Sequence, residues 1–184
     1  MTDRRYSMLA STFALFSIVG SSPRAAAQAA TTPEGRLKAL GIELPPAPKP
    51  VANYVPAVRS GNIVFLAGQG PLAAGMPLMT GKVGGEVSEA DGARAARMTI
   101  LNSLAALRAE IGSLDRVRRI LKLTVWVNSA PGFTRQPAVA NGASDLLVQI
   151  FGDAGRHARS AVSANELPFN MPVEIEMIVE VAPG

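Results

Sequence analysis

The residues best equipped for chemistry lie near the C-terminus, where Arg159-Ser160-Ala161-Val162 is followed by Leu167-Pro168 and then by Val173-Glu174-Ile175-Glu176. An Arg that opens one strand and a Glu on an adjacent strand, separated by a Leu-Pro turn, can present a guanidinium and a carboxylate to one pocket. The same spacing also suits a structural ion pair on a sheet edge. With no Cys the chain lacks the means for thiol catalysis, zinc-thiolate sites or iron-sulfur clusters, and its single His, His157, argues against a His-rich metal site or a Ser-His-Asp triad. Any chemistry must therefore run on Arg, Glu, Tyr, Asn and backbone groups.

Two glycine-rich stretches invite a nucleotide reading and fail it. Gly68-Gln69-Gly70-Pro71-Leu72-Ala73 follows a strand, but Pro71, Gly75 and Pro77 prevent the helix whose amino end would face a pyrophosphate. Gly75 to Lys82 has the wrong glycine spacing for a P-loop, and Val83 stands where a Ser or Thr would hold magnesium.

The elements that must position Arg159 and Glu174 follow from periodicity. Val55 to Val58 and Ile63 to Ala67 flank Arg59-Ser60-Gly61-Asn62, a turn supplied with Gly and Asn, and predict a hairpin; a short extended piece is expected around Met76 to Met79. Ser88-Glu89-Ala90-Asp91 is a helix start. Ala93, Ala96, Ile100, Leu101, Leu104, Leu107 and Ile111 then recur at helical spacing up to Gly112, with Arg94, Asn102 and Glu110 off that face. Val117 to Asn128 alternates strictly and predicts a long strand, with Ile120 and Trp126 on the face opposite Leu123, Val125 and Val127. A second helix is expected from about Pro137 to Phe151, and Val173 to Val181 alternates core residues with Glu174, Glu176, Ile178 and Glu180. These elements predict an α+β fold in which two helices cover one face of a six-stranded, mostly antiparallel sheet. The other face carries Ile120, Trp126 and Ile178 and is expected to meet another subunit.

Before this domain, Arg4-Arg5, an apolar stretch from Met8 to Val19 and the small residues Ala25-Ala26-Ala27 read as an export signal cleaved after Ala27. The stretch is too short to span a bilayer core of roughly 30 Å. The expected organisation is a signal peptide at 1–27, an N-terminal helix and Pro-rich arm at 28–53, and the main domain at 54–184, in a periplasmic or secreted protein. The paired arginines leave both the general secretory and the twin-arginine route open. The formal net charge of +4 includes Arg4, Arg5 and Arg24 of that signal, and aromatic residues make up only 5% of the chain. No basic patch interleaved with stacking rings points to nucleic acid.

Taken together, Arg159-Ser160-Ala161-Val162, Leu167-Pro168, Val173-Glu174-Ile175-Glu176, Tyr54, Gly61-Asn62 and Gly68-Gln69 resemble the Rid family, the YjgF-like reactive intermediate deaminases, some of which carry an older endoribonuclease label. The resemblance runs from about Tyr54 to Ala182; Pro56, Ala67 and a longer second helix depart from the family pattern. It implies a chorismate-mutase-like fold, a homotrimer with pockets at subunit interfaces, and hydrolysis of 2-imino acids, formed from enamines such as 2-aminoacrylate, to 2-oxo acids and ammonia. It implies that Arg159 clamps the substrate carboxylate and that Glu174 activates the attacking water. Tyr54, the Gly68 main chain, Asn141 and the Ala161 amide would line the pocket. No metal or organic cofactor is implied, because an iminium carbon is already electrophilic and needs chiefly orientation and one general base. A non-catalytic trimeric binder of small carboxylates, or of a partner protein, would use the same pocket.

Overall fold

The computed structural model describes residues 31–50, 52–72, 75 and 78–183. The export signal and its cleavage point lie outside these residues. The chain folds as an α+β structure, and the described residues contain one mixed five-stranded sheet and three α-helices. In chain order these are α1 (Pro33–Ala39), β1 (Ala57–Ser60), β2 (Ile63–Gln69), α2 (Glu89–Ile111), β3 (Val117–Asn128), α3 (Gln136–Phe151), β4 (Ala158–Ala164) and β5 (Val173–Val181).

The sheet order is β1-β2-β5-β3-β4, antiparallel throughout except for the parallel β3–β4 pair. Five strands stand where six were expected: 76 and 77 lie outside the described residues, and Leu78 to Thr80 join no ladder. A parallel neighbour requires a crossover connection, and α3 supplies it, placing β4 on the far edge of β3. β5 then returns to the middle of the sheet. Arg159 and Glu174 are therefore not on adjacent strands, because β3 runs between them.

Helix α2 begins and ends where its sequence directs. The Ser88 hydroxyl accepts from the Asp91 amide at 3.1 Å and donates to the Asp91 carboxylate at 2.6 Å, and Gly112, at φ 84°, ends α2. Ala96, Ile100, Leu104, Leu107 and Ile111 of α2 join Val139, Ala143, Leu146 and Ile150 of α3 in one core with the inward faces of β3 and β5. Asn102 is buried within this layer, not off it as the helical wheel suggests, because the loop after β2 closes over it: its Nδ2 donates to the carbonyls of Gly70 and Leu72, both at 2.8 Å.

Helix α1 belongs to the body of the molecule. Leu37 joins the core, Arg36 donates to the Ile150 carbonyl at 3.1 Å, and the Glu34 carboxylate accepts from the Leu114 amide at 3.0 Å. No helix among the described residues is long and apolar enough to cross a membrane.

Two bulges correct the reading of β3. Ile120 pairs with Val179 and Lys122 with Ile178, so Leu121 is an extra residue in β3; Arg118 is likewise extra between Val117 and Arg119. The inserted residue flips the alternation, and Ile120 lies fully buried in the core instead of on the open face. That face still carries Val58, Phe65, Trp126 and Val162, with Phe65 48% and Trp126 36% exposed.

Candidate active site

The candidate residues divide into two groups on opposite sides of the sheet. Arg159 on β4 stands in register with the buried Leu123 and points to the helix layer, where its Nη1 donates to Asn141 Oδ1 and to Ser144 Oγ, both at 3.0 Å. Neither Nη2 nor Nε of Arg159 bonds to a described residue, so one edge of the guanidinium keeps its donors unpaired among them. Ala161 follows two residues along β4, packed against the core on the same side.

Helix α3 supplies the partners of Arg159 because α3 can lie directly on α2. At Gly142 a Cβ would stand 2.0 Å from the Ala93 carbonyl oxygen, so only glycine permits this approach. The close packing fixes Asn141 and Ser144 over the edge strand. Ser144 also meets His157: its Oγ lies 3.1 Å from Nε2, and His157 Nδ1 lies 2.7 Å from the Gly155 carbonyl. Ser144, Val148, Arg156, His157 and Arg159 line a cleft of about 250 Å³. Burial is the main cause holding the His157 imidazole below the usual histidine range, and the Arg159 charge adds to it against the opposing bond to Gly155.

The second group occupies the uncovered face. Glu174 on β5 stands opposite Trp126 of β3, and its carboxylate fills the space that Gly68 leaves: a Cβ on Gly68 would lie 2.1 Å from Glu174 Oε1. A bulge between Leu66 and Gln69 brings Gly68 over β5. Burial pushes the Glu174 carboxyl above the usual range, and the like charge of Glu176 adds to it. Tyr54 is exposed and precedes β1.

Within one chain the structure thus joins Arg159 to Asn141, and Gly68 to Glu174, without bringing the two pairs together. The loop from β4 to β5 crosses the end of β3 between them and is fastened there. Lys82 Nζ donates to Asn128 Oδ1 at 2.9 Å and to the Asn165 carbonyl, and pairs with Glu166 at 3.2 Å. Asn128 donates to Asn170 Oδ1 at 3.0 Å. Phe169 and Asn170 adopt φ of 56° and 54° in this loop, and Phe169 is 67% exposed. Among the described residues no group of three or more Asp, Glu or His side chains is placed to hold a metal ion.

Ser144, His157 and Asn102 were not singled out by the sequence. His157 was visible as the lone histidine two residues before Arg159, whereas nothing in a helical wheel marks Ser144 or Asn102.

Several known proteins are similar to this chain over most of its length. The profile of a family described as "YjgF/chorismate mutase-like, putative endoribonuclease" matches residues 34–181, α1 included. The Trypanosoma cruzi protein TCP17 is 46% identical over 145 residues, covering 78% of this chain and 91% of its own length. A crystal structure from Agrobacterium tumefaciens, of a protein of unknown function, is 44% identical with a TM-score of 0.75, covering 84% of this chain and 97% of that one. A 2-iminobutanoate/2-iminopropanoate deaminase from Dermatophagoides farinae is 31% identical over 139 residues, covering 75% of this chain and 93% of its own length.

Proposed function

The chain belongs to the YjgF/chorismate mutase-like family, and from that premise we propose that it hydrolyses reactive 2-imino acids to 2-oxo acids and ammonia in a site shared between adjacent subunits of a homotrimer. The observation that carries this reading is the division of the site: an Arg with a free donor edge on one side of the sheet, and a carboxyl raised by burial on the other. Two such halves become one site when the β4 edge of one subunit meets the uncovered face of the next.

In that site Asn141 and Ser144 hold Arg159 Nη1, leaving Nη2 and Nε to grip the substrate carboxylate at two points. This aims the carbon of the protonated imine, C=NH2+, at a water held by Glu174. A carboxyl with a raised pKa is the better base at neutral pH: it takes a proton as the water oxygen bonds to carbon and the C=N electrons move to nitrogen. The resulting carbinolamine expels ammonia as Glu174 returns that proton to nitrogen and the hydroxyl, losing its own proton to solvent, becomes the 2-oxo group. The Ala161 amide, the Gly68 main chain and Tyr54 line the pocket.

The test is ammonia release from an imino acid made in situ by an amino-acid oxidase. Arg159→Ala should abolish turnover. Arg159→Lys, which keeps the charge and loses the two-point geometry, should lower turnover at least about tenfold, equivalent to roughly 1.4 kcal/mol in the barrier. Glu174→Gln should retain 2-oxo acid binding while slowing hydrolysis. Because the halves come from different subunits, refolding Arg159→Ala with Glu174→Gln chains should restore about a quarter of the sites, the fraction expected from random mixing in a cyclic trimer. Calorimetric binding of a 2-oxo acid with no rate above buffer would favour the non-catalytic trimeric carboxylate binder. We further propose that the segment ending at Ala27 is an export signal, so that the protein would act in the periplasm or outside the cell; an intact mass beginning at Gln28 in that fraction would support this.

A further inference from the structure

The family resemblance accounts for Arg159 and Asn141 but gives no role to Ser144 and His157, which the structure connects to Arg159. Their hydrogen-bond directions are fixed by elimination. The Gly155 carbonyl can only accept, so His157 Nδ1 carries a proton and, in the neutral ring, Nε2 is a lone pair. Arg159 Nη1 can only donate, so Ser144 Oγ accepts from it. The Ser144 hydroxyl proton is then free to donate to Nε2. The chain Arg159 to Ser144 to His157 to Gly155 is satisfied in one arrangement, and that arrangement needs a neutral imidazole.

We propose, resting on the functional reading above, that Ser144 and His157 are positioning residues for Arg159, and that protonation of His157 at mildly acidic pH loosens the grip of Arg159 on a substrate carboxylate. A protonated ring would turn an N–H toward Ser144 Oγ. That oxygen would then stand between two cations, and its own proton would lose its acceptor. The guanidinium on the far side is the group to shift, because Gly155 holds the ring from behind and Asn141 alone would still hold Nη1.

The charged groups around His157 are few. Arg156, paired with Asp153 at 3.2 Å, lines the same cleft from the turn before β4. Arg159 faces it from β4, and α3 contributes only the neutral Ser144 and Val148 to the cleft, its Asp145 being exposed. Lys122, from β3, directs its ammonium to Ser160 Oγ at 2.7 Å. Among the described residues no carboxylate bonds to the imidazole to favour its charged form, and burial and the Arg159 charge hold its pKa below the usual histidine range.

Since His157 is the chain's one histidine, nitrogen NMR of 15N-histidine-labelled protein reads it without assignment. The expected spectrum at pH 7.5 is the neutral Nδ1–H tautomer, with a titration midpoint below the ordinary histidine range that rises in Arg159→Gln. An Nε2–H tautomer, or a midpoint indifferent to Arg159→Gln, would overturn the relay. Calorimetry with pyruvate is the second arm. Ser144→Ala should weaken binding at pH 7.5 by about fivefold, in line with the loss of one such hydrogen bond. The weakening from pH 7.5 to 5.5 should be greater in the wild-type protein than in His157→Gln, which keeps an acceptor toward Ser144 and does not titrate. Glu174 titrates in both proteins and cancels from that comparison. Equal pH profiles for the two, or unchanged binding in Ser144→Ala, would overturn the effect on the grip. If the wild-type protein binds no pyruvate while the imidazole keeps its Nδ1–H tautomer and its dependence on Arg159, the functional reading and the carboxylate grip fall together, and the relay alone stands.

Discussion

Glu174 and Gly68 have to be read as a pair, since the carboxylate occupies the volume a side chain at Gly68 would need. Gly68→Ala is therefore expected to displace the carboxylate and lower imino-acid hydrolysis at least about tenfold, with circular dichroism unchanged. The raised pKa of Glu174 has a consequence of its own for stability. A carboxyl whose folded pKa lies above its unfolded value stabilises the fold fully at pH below the unfolded value, and that contribution is lost as pH rises through the folded pKa. Relative to the wild-type chain, Glu174→Gln should gain stability from acid toward neutral pH, reaching a Tm higher by on the order of 2 °C at pH 7.5; scanning calorimetry at pH 4 and 7.5 checks the trend. At this scale the sequence was informative about residue types and mute about sides. Arg159 and Glu174 stood out by spacing, yet their placement on opposite faces depends on register with β3, which no local pattern encodes. Asn141 was named only through resemblance, and its bond to Arg159 gives it a physical place.

The long elements α2, β3, α3 and β5 were legible because each has a strong period and a clear stop, whereas β1 runs from Ala57 to Ser60, two residues later than its apolar pattern suggests, and takes in Arg59 and Ser60 of the expected turn. Phase was the weak point. The alternation in β3 runs unbroken in the sequence, but an extra residue at Leu121 shifts it by one and carries Ile120 inward. The partner of β5 was also hidden, since a Leu-Pro turn suggests neighbouring strands whereas α3 and the parallel β4 leave β5 to pair with β2 and β3. Asn102 illustrates a third limit: its place on α2 looks solvated until the loop from β2 covers it. Asn102→Ala would leave the Gly70 and Leu72 carbonyls without their donor and should cost about 1–3 kcal/mol in urea unfolding. Because that loop follows directly from Gly68, the variant should also lower turnover, whereas Asn102→Asp, which removes the donor but keeps the shape, should give a comparable loss.

For the whole molecule, the sheet has one face sealed by helices and one face that is not, and α1 adds to the sealed side through Leu37. The expected assembly is a trimer in which the open face carrying Phe65, Trp126 and Val162 is covered by neighbouring subunits. Full cover of each such side chain contributes roughly 1.5–3 kcal/mol. Light scattering at micromolar concentration should give three times the chain mass; a monomer would remove the shared site together with the assembly. Trp126 also makes that face readable by optical means. It is the chain's sole tryptophan, so the intrinsic emission of the protein is in effect that of one indole on the open face, where the proposed trimer would bring subunits together. Dilution that separates the subunits would shift that emission to the red as the ring meets water, and a 2-oxo acid that draws the halves of the site together would oppose the shift. Assembly and site occupancy could then be followed in the unlabelled protein, at concentrations too low for scattering.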